Sequence, residues 1–124
     1  MPVLAAPSAP THELPGARFT ALATPSRGST DTSVWQVEID PGAPATPHSV
    51  TREEVFVVLE GTARVRLGES EQLAGPGAAI VVPAGVPFAL AATGPAPLRA
   101  VCLLPVGGQA QLPGGEPFTP PWAR

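Results

Sequence analysis

The sequence predicts an all-β domain, an antiparallel sandwich or barrel with little or no helix, from three observations. Eighteen Pro and 13 Gly interrupt the 124 residues so often that no stretch has a clean helical stripe of apolar residues. Apolar and polar residues instead alternate with a period of two, and these runs recur at a spacing of roughly 8 to 12 residues. We therefore expect strands at 17–23, 32–40, 45–50, 54–60, 62–67, 71–74, 79–83, 87–92 and 97–104.

Alternation is clearest in two of these strands. The stretch 34–40 reads VWQVEID, which places Trp35, Val37 and Ile39 on one face and polar side chains on the other. The stretch 62–67 reads TARVRL, which directs Val65 inward and both Arg side chains outward. The run AIVV at 79–82 is apolar throughout, which is typical of a strand buried on both faces.

Turn residues separate the later strands. Glu60-Gly61 is a two-residue hairpin signal between strands 54–60 and 62–67. Residues typical of turns also occur in the triplets GES at 68–70, GPG at 75–77 and PAG at 83–85. These breaks define the boundaries of the remaining strands.

The two ends of the chain differ from its middle. Residues 1–16 form a Pro-rich arm, residues 17–104 form the barrel domain, and residues 105–124 form a tail rich in Pro and Gly. Such segments are ordered only when they pack on something, so we expect the tail to lie on the barrel or on a partner subunit. The charged fraction of 14% is low for a fully solvated surface, which favours some burial by a partner.

Composition excludes several classes of protein. The chain is too apolar and too weakly charged to be disordered, and a net charge of −3 offers no basic surface for nucleic acid. Its apolar runs are too short to span a membrane, and its start does not have the pattern of a signal peptide. A lone Cys102 forms neither an internal disulfide nor a zinc cluster. We expect a cytoplasmic protein without nucleic-acid or membrane partners.

The middle of the chain resembles the two signatures of the cupin superfamily. The first signature is Gly, five residues, His-x-His, three or four residues, Glu, six residues and Gly, and its matching positions here are Gly42, His48, Glu54 and Gly61. The second is Gly, five residues, Pro-x-Gly, two residues, His, three residues and Asn. Its Gly, Pro and Gly are matched at Gly77, Pro83 and Gly85. The spacing between the two motifs is similar to that of small bacterial cupins.

The resemblance implies a jelly-roll β-barrel of two antiparallel sheets, assembled as a homodimer, with the functional site at the barrel mouth. Family members bind a divalent metal through two His and a Glu of the first motif and a His of the second. Here only His48 and Glu54 hold ligand positions, because Val50 and Phe88 occupy the other two and Ala92 replaces the Asn. One imidazole and one carboxylate are fewer than the three protein ligands of catalytic zinc. The sequence thus favours no tightly held metal, with a weakly bound divalent ion as the alternative.

Three functions remain open. The first is binding of a small, largely apolar molecule in a barrel lined by Trp35, Val50, Phe56, Phe88 and Leu90, with Arg52 at the rim; the competing interpretation is a core filled by these side chains. The second is an isomerase, cyclase or decarboxylase in which His48 and Glu54 act as acid and base. The third is a dioxygenase-like metalloenzyme with His48 and Glu54 as an incomplete ligand set.

Overall fold

A computed structural model describes residues 2–124, and within them the prediction of an all-β fold is confirmed. The only helices in that range are two single 3₁₀ turns, Pro25–Arg27 and Pro121–Ala123, and neither is long or apolar enough to cross a bilayer. The strands are β1 (His12–Leu14), β2 (Ala17–Ala23), β3 (Thr32–Ile39), β4 (Ser49–Val50), β5 (Glu54–Glu60), β6 (Thr62–Leu67), β7 (Ser70–Ala74), β8 (Ala79–Val82), β9 (Phe88–Thr93), β10 (Leu98–Pro105) and β11 (Ala110–Gln111).

Two antiparallel sheets form the jelly roll. The larger has the order β1-β2-β3-β10-β5-β8, and the smaller has the order β7-β6-β9. Strands β4 and β11 pair with each other in a third, two-stranded sheet. Side chains from the six-stranded and the three-stranded sheet belong to one buried cluster, so the core lies between these two sheets.

The inward faces follow the alternation of the sequence. In β3, Ser33, Trp35 and Val37 are buried, whereas their neighbours along the strand are partly exposed. Strands β5 and β10 alternate in the same way, because successive side chains of a strand point to opposite faces. In β5, Glu54, Phe56 and Val58 therefore face the interior.

One predicted strand is much shorter than expected. Of the segment 45–50, only Ser49 and Val50 form a strand, although His48 still makes an isolated bridge to Phe88. Pro44 and Pro47 have no backbone N–H, so this stretch cannot sustain a ladder of hydrogen bonds. The exposed loop that results leads into the barrel mouth.

The predicted hairpin at Glu60-Gly61 is wrong. Strand β5 pairs with β10 and β8, whereas β6 pairs with β7 and β9, so the turn carries the chain from one sheet to the other. Gly61 has a φ of 77°, and a Cβ added there would collide with the carbonyl oxygen of Pro97. Glycine is required both by the left-handed backbone and by this close approach.

Both terminal segments contribute to the fold. Strand β1 lies in the N-terminal arm and pairs with β2, and β11 lies in the C-terminal tail. At the end of the tail the Trp122 ring stacks on Phe19, with centroids 3.7 Å apart and planes within 4°. The Ser33 hydroxyl, which is buried, donates a hydrogen bond of 2.8 Å to the carbonyl of Ala123. These contacts place the tail against the large sheet of the same chain.

Candidate functional site

The candidate site is a cavity of about 530 Å³ at the end of the barrel. Its deep part is lined by buried aromatic side chains, among them Trp35, Phe56 and Phe88. Its rim includes apolar side chains that are 40 to 52% exposed, namely Leu14, Leu112 and Phe118. The interior is therefore neither fully packed nor closed off, and its walls are mainly apolar.

Glu54 is a buried carboxyl on the wall of this cavity. It is the first residue of β5 and only 5% exposed. Within residues 2–124 no group forms a hydrogen bond or an ion pair with it. Burial removes water from the carboxylate and raises the pKa of Glu54 to about 8. The group is consequently protonated over much of the neutral range and has hydrogen-bonding capacity that the chain itself does not use.

His48 lies on the same cavity but is not paired with Glu54. Its Nδ1–H donates a 3.0 Å hydrogen bond to the carbonyl of Thr46, which is an acceptor only. Its ring contacts that of Phe88, with centroids 4.3 Å apart. The imidazole is therefore hydrogen-bonded to the backbone and not to Glu54. In the neutral imidazole this tautomer has Nε2 as an acceptor.

Cys102 is the third ionisable side chain on the cavity wall. It is fully buried on β10, where it pairs with Trp35 on one side and Phe56 on the other. Burial, with the negative charge of Glu54 as a smaller contribution, raises the pKa of this thiol well above its usual value. A protonated thiol is a weak nucleophile, so Cys102 acts as a small apolar wall residue.

The residues present do not fit a divalent metal. Within residues 2–124 there is no group of three His, Cys, Asp or Glu side chains close enough together to hold an ion. Val50 and Phe88, which occupy two of the four ligand positions of the family, are both buried and apolar. His48 and Glu54 alone fall short of the ligand number of catalytic metal sites.

The structure brings most of the predicted pocket residues together. Trp35, Phe56, Phe88 and Leu90 line the cavity. Val50, on the short strand β4, belongs to the buried core and is not among the lining residues, so its prediction as a pocket residue is wrong. Arg52 is exposed in the loop before β5 and does not reach the cavity rim.

Sequence reasoning missed the walls that the two ends of the chain supply. Phe19 and Ile39 come from the large sheet, and Leu112, Phe118 and Trp122 come from the tail. The presence of Phe118 and Trp122 in a Pro- and Gly-rich segment was an indication that the tail packs, but it did not say against what. The local pattern of apolar and polar residues cannot show that residues more than 100 positions apart, such as Phe19 and Trp122, form one wall.

A second cavity, of about 420 Å³, lies near the first 3₁₀ turn and the end of β10. Ser33, Leu104 and Arg124 are among its lining residues, and no His, Cys, Asp or Glu lines it. It therefore lacks the groups that general acid–base chemistry or metal binding needs.

Comparisons with known proteins agree with this architecture. The family model described as "Cupin domain" matches residues 35–104. KdgF from a Halomonas species is 26% identical, with 77% of this chain and 84% of that chain covered and a TM-score of 0.67. The polyketide cyclase RemF from Streptomyces resistomycificus is 25% identical, with coverage of 82% and 73% and a TM-score of 0.66.

A cupin-like protein from Thermotoga maritima has the same fold, with 22% identity, coverage of 77% and 74% and a TM-score of 0.70. The comparison with curated proteins found no match to this sequence. The family model spans more than half of the 124 residues, and the match includes both motifs identified in the sequence. The chain therefore belongs to the cupin domain family, as a small single-domain member.

Proposed function

We propose that this protein binds a small, largely apolar organic molecule inside its barrel, without a tightly held catalytic metal. The observation that carries the proposal is the cavity of about 530 Å³, lined mainly by aromatic and aliphatic side chains. This volume lies within the range of roughly 300 to 1,000 Å³ that is typical of small-molecule pockets. Transfer of apolar surface out of water contributes about 25 cal/mol per Å² to binding.

Naphthalene tests the proposal, because it is rigid, uncharged and without polar groups. Ligand-observed NMR should detect its binding to the wild-type protein. Leu90→Trp places a larger ring on the cavity wall and is expected to abolish binding. Leu73→Trp is the control, since Leu73 is 68% exposed on β7 and away from the cavity. No binding to the wild type, or equal binding to both variants, would contradict the proposal.

A second candidate function is acid–base catalysis of the isomerase, cyclase or decarboxylase kind. It is supported by the presence of His48 and Glu54 on one cavity and by a pKa of about 8 for Glu54, because a catalytic group works best when its pKa lies near the operating pH. The likeness to a polyketide cyclase, RemF, is in keeping with it.

Proton exchange beside a carbonyl group tests this second candidate. We expect the wild-type protein to catalyse exchange of the α-protons of 1-tetralone in D₂O, measured by proton NMR. Glu54→Gln and His48→Ala should lose the exchange without a fall in melting temperature relative to the wild type. Glu53→Gln, at an exposed neighbouring position, should keep it. Loss of stability in both site variants would mean that the two residues are structural.

A further inference from the structure

The deep part of the cavity contains a carboxyl group, Glu54, that has no partner among residues 2–124. Glu54 is 5% exposed, lines the cavity and forms no hydrogen bond within residues 2–124. Its oxygens are open to the cavity, since the only fully buried side-chain oxygen without a partner in residues 2–124 is that of Ser29. A ligand that covers the carboxyl without bonding to it would leave it unpaired, at a cost of typically about 1 to 3 kcal/mol. A ligand that brings a hydrogen-bonding group to this carboxyl avoids that cost.

The charge of the lining disfavours anionic ligands. No Arg is among the lining residues, and the chain has no Lys. Arg52, the cation expected at the rim, is exposed elsewhere. A carboxylate or phosphate placed in this cavity would meet Glu54 with no Arg or Lys beside it and with His48 as the one basic side chain of the lining, and burying a poorly compensated charge is unfavourable.

The low number of polar side chains also disfavours sugars. The lining side chains that can form hydrogen bonds are Trp35, Thr46, His48, Glu54, Cys102 and Trp122. Of these, Thr46 is exposed at the rim and the Nδ1 of His48 is already engaged by the Thr46 carbonyl. A polyhydroxylated molecule would leave most of its hydroxyls against apolar walls, at the cost of their lost hydration.

A single hydroxyl group matches Glu54 in either protonation state. It can donate to the carboxylate, or it can accept from the protonated carboxyl. The flat walls formed by Phe56, Phe88 and the stacked pair of Phe19 and Trp122 suit a ring system. We propose, on the basis of the function proposed above, that the ligand is an uncharged ring compound with one hydroxyl, a phenol or hydrophobic alcohol, and that this hydroxyl is hydrogen-bonded to Glu54.

Three matched probes test the proposal at pH 7: naphthalene, 1-naphthol and 1-naphthoate, with affinities measured by ligand-observed NMR titration. For the wild-type protein we expect 1-naphthol to bind about tenfold more tightly than naphthalene, as one recovered hydrogen bond predicts. We expect 1-naphthoate to bind more weakly than either. Glu54→Leu should reduce the affinity for 1-naphthol to that for naphthalene, whereas Glu54→Gln should keep the preference because an amide both donates and accepts.

Glu53→Leu is the control, since Glu53 is the exposed neighbour of Glu54 and should leave all three affinities unchanged. Equal affinities for naphthalene and 1-naphthol in the wild type, or tightest binding of 1-naphthoate, would overturn the hydroxyl assignment while leaving an apolar pocket. Binding of none of the probes would overturn the proposed function as well. If Glu54→Leu does not fold, the wild-type ratio of the 1-naphthol and naphthalene affinities decides by itself.

Discussion

Glu54 is an acidic residue buried on a cavity wall that is mainly apolar. By the resemblance of the motifs the carboxyl corresponds to a metal-ligand position of the family, and buried Val50 and Phe88 correspond to two others. Burial removes water from the carboxyl, and no hydrogen bond or ion pair within residues 2–124 compensates for it, so the neutral form is stabilised. The protonation state of Glu54 is thus determined by the removal of its carboxyl from water.

The raised pKa of Glu54 predicts a specific pH dependence of stability. The folded protein holds the proton up to about pH 8, whereas the unfolded chain loses it near the ordinary value of 4.5. Between these values the folded state binds more protons, so the free energy of unfolding should fall as pH rises, by at most about 1.4 kcal/mol per pH unit. Urea unfolding of the wild type and Glu54→Gln over this range measures the difference.

Glu54→Gln should remove this component of the pH dependence and be more stable than the wild type at pH 8 and above. Glu53→Gln, altered at the exposed neighbour, should keep the wild-type profile. A wild-type stability that rises from pH 5 to pH 8 by the same amount as that of Glu54→Gln would contradict the assignment of a neutral carboxyl.

At the scale of elements, the connections between strands determine which distant residues come into contact. The turn at Gly61 moves the chain between sheets, and the tail adds β11 and a 3₁₀ turn to the barrel wall. Both features bring residues that are distant in sequence into contact: Gly61 with Pro97, and Trp122 with Phe19.

Gly61→Ala should be strongly destabilising. The variant has the strain of a left-handed backbone and also a collision of its Cβ with the Pro97 carbonyl. Gly77→Ala is the matched control, because Gly77 has a similar φ of 87° but open space around an added Cβ. We expect Gly61→Ala to lose about 2 kcal/mol more than Gly77→Ala in urea unfolding. Equal losses would mean that backbone strain alone matters at Gly61.

Trp122→Ala should weaken the attachment of the tail. The variant loses the stack on Phe19 and exposes part of the cavity wall, at a cost of about 2 kcal/mol in the free energy of unfolding, since Trp122 is only partly buried. Trp122→Phe retains a ring for the stack and should lose less than half as much. No measurable loss in Trp122→Ala would show that the tail does not contribute to stability.

At the scale of the whole molecule, the outer surface has few charges, and several of these are paired with one another. Arg18 bonds both Glu38 and Asp40, at 2.6 and 2.5 Å, and this guanidinium lowers the pKa of Asp40. Exposed pairs of this kind contribute little to stability. A charged fraction of 14% leaves much of the remaining surface uncharged, which is in keeping with the homodimer that the family resemblance implies.

The homodimer stays a prediction. We expect light scattering of the purified protein to give twice the chain mass of 12.6 kDa, and the mass to fall toward that of one chain on dilution. A constant mass of one chain across the concentration series would contradict it.

Several features followed from the sequence because they depend on neighbouring residues. Alternation in 34–40 and 62–67 correctly predicted strands β3 and β6 and their buried faces. The spacing of Gly42, His48, Glu54 and Gly61 indicated the family and placed His48 and Glu54 on one cavity. Pro44 and Pro47 should have shortened the predicted strand 45–50, since the missing N–H groups were visible in the sequence.

By itself the sequence determined an all-β chain, the location of most strands and the depletion of the family's metal ligands. These properties depend on the period of two, on Gly and Pro, and on residue identity. Only the tertiary structure decided that β5 and β6 belong to different sheets, that the tail's Trp122 completes the cavity wall, and that Glu54 lies there without a partner. The physical reason is that strand partners, enclosed volume and desolvation depend on segments far apart in the chain, which no local pattern encodes.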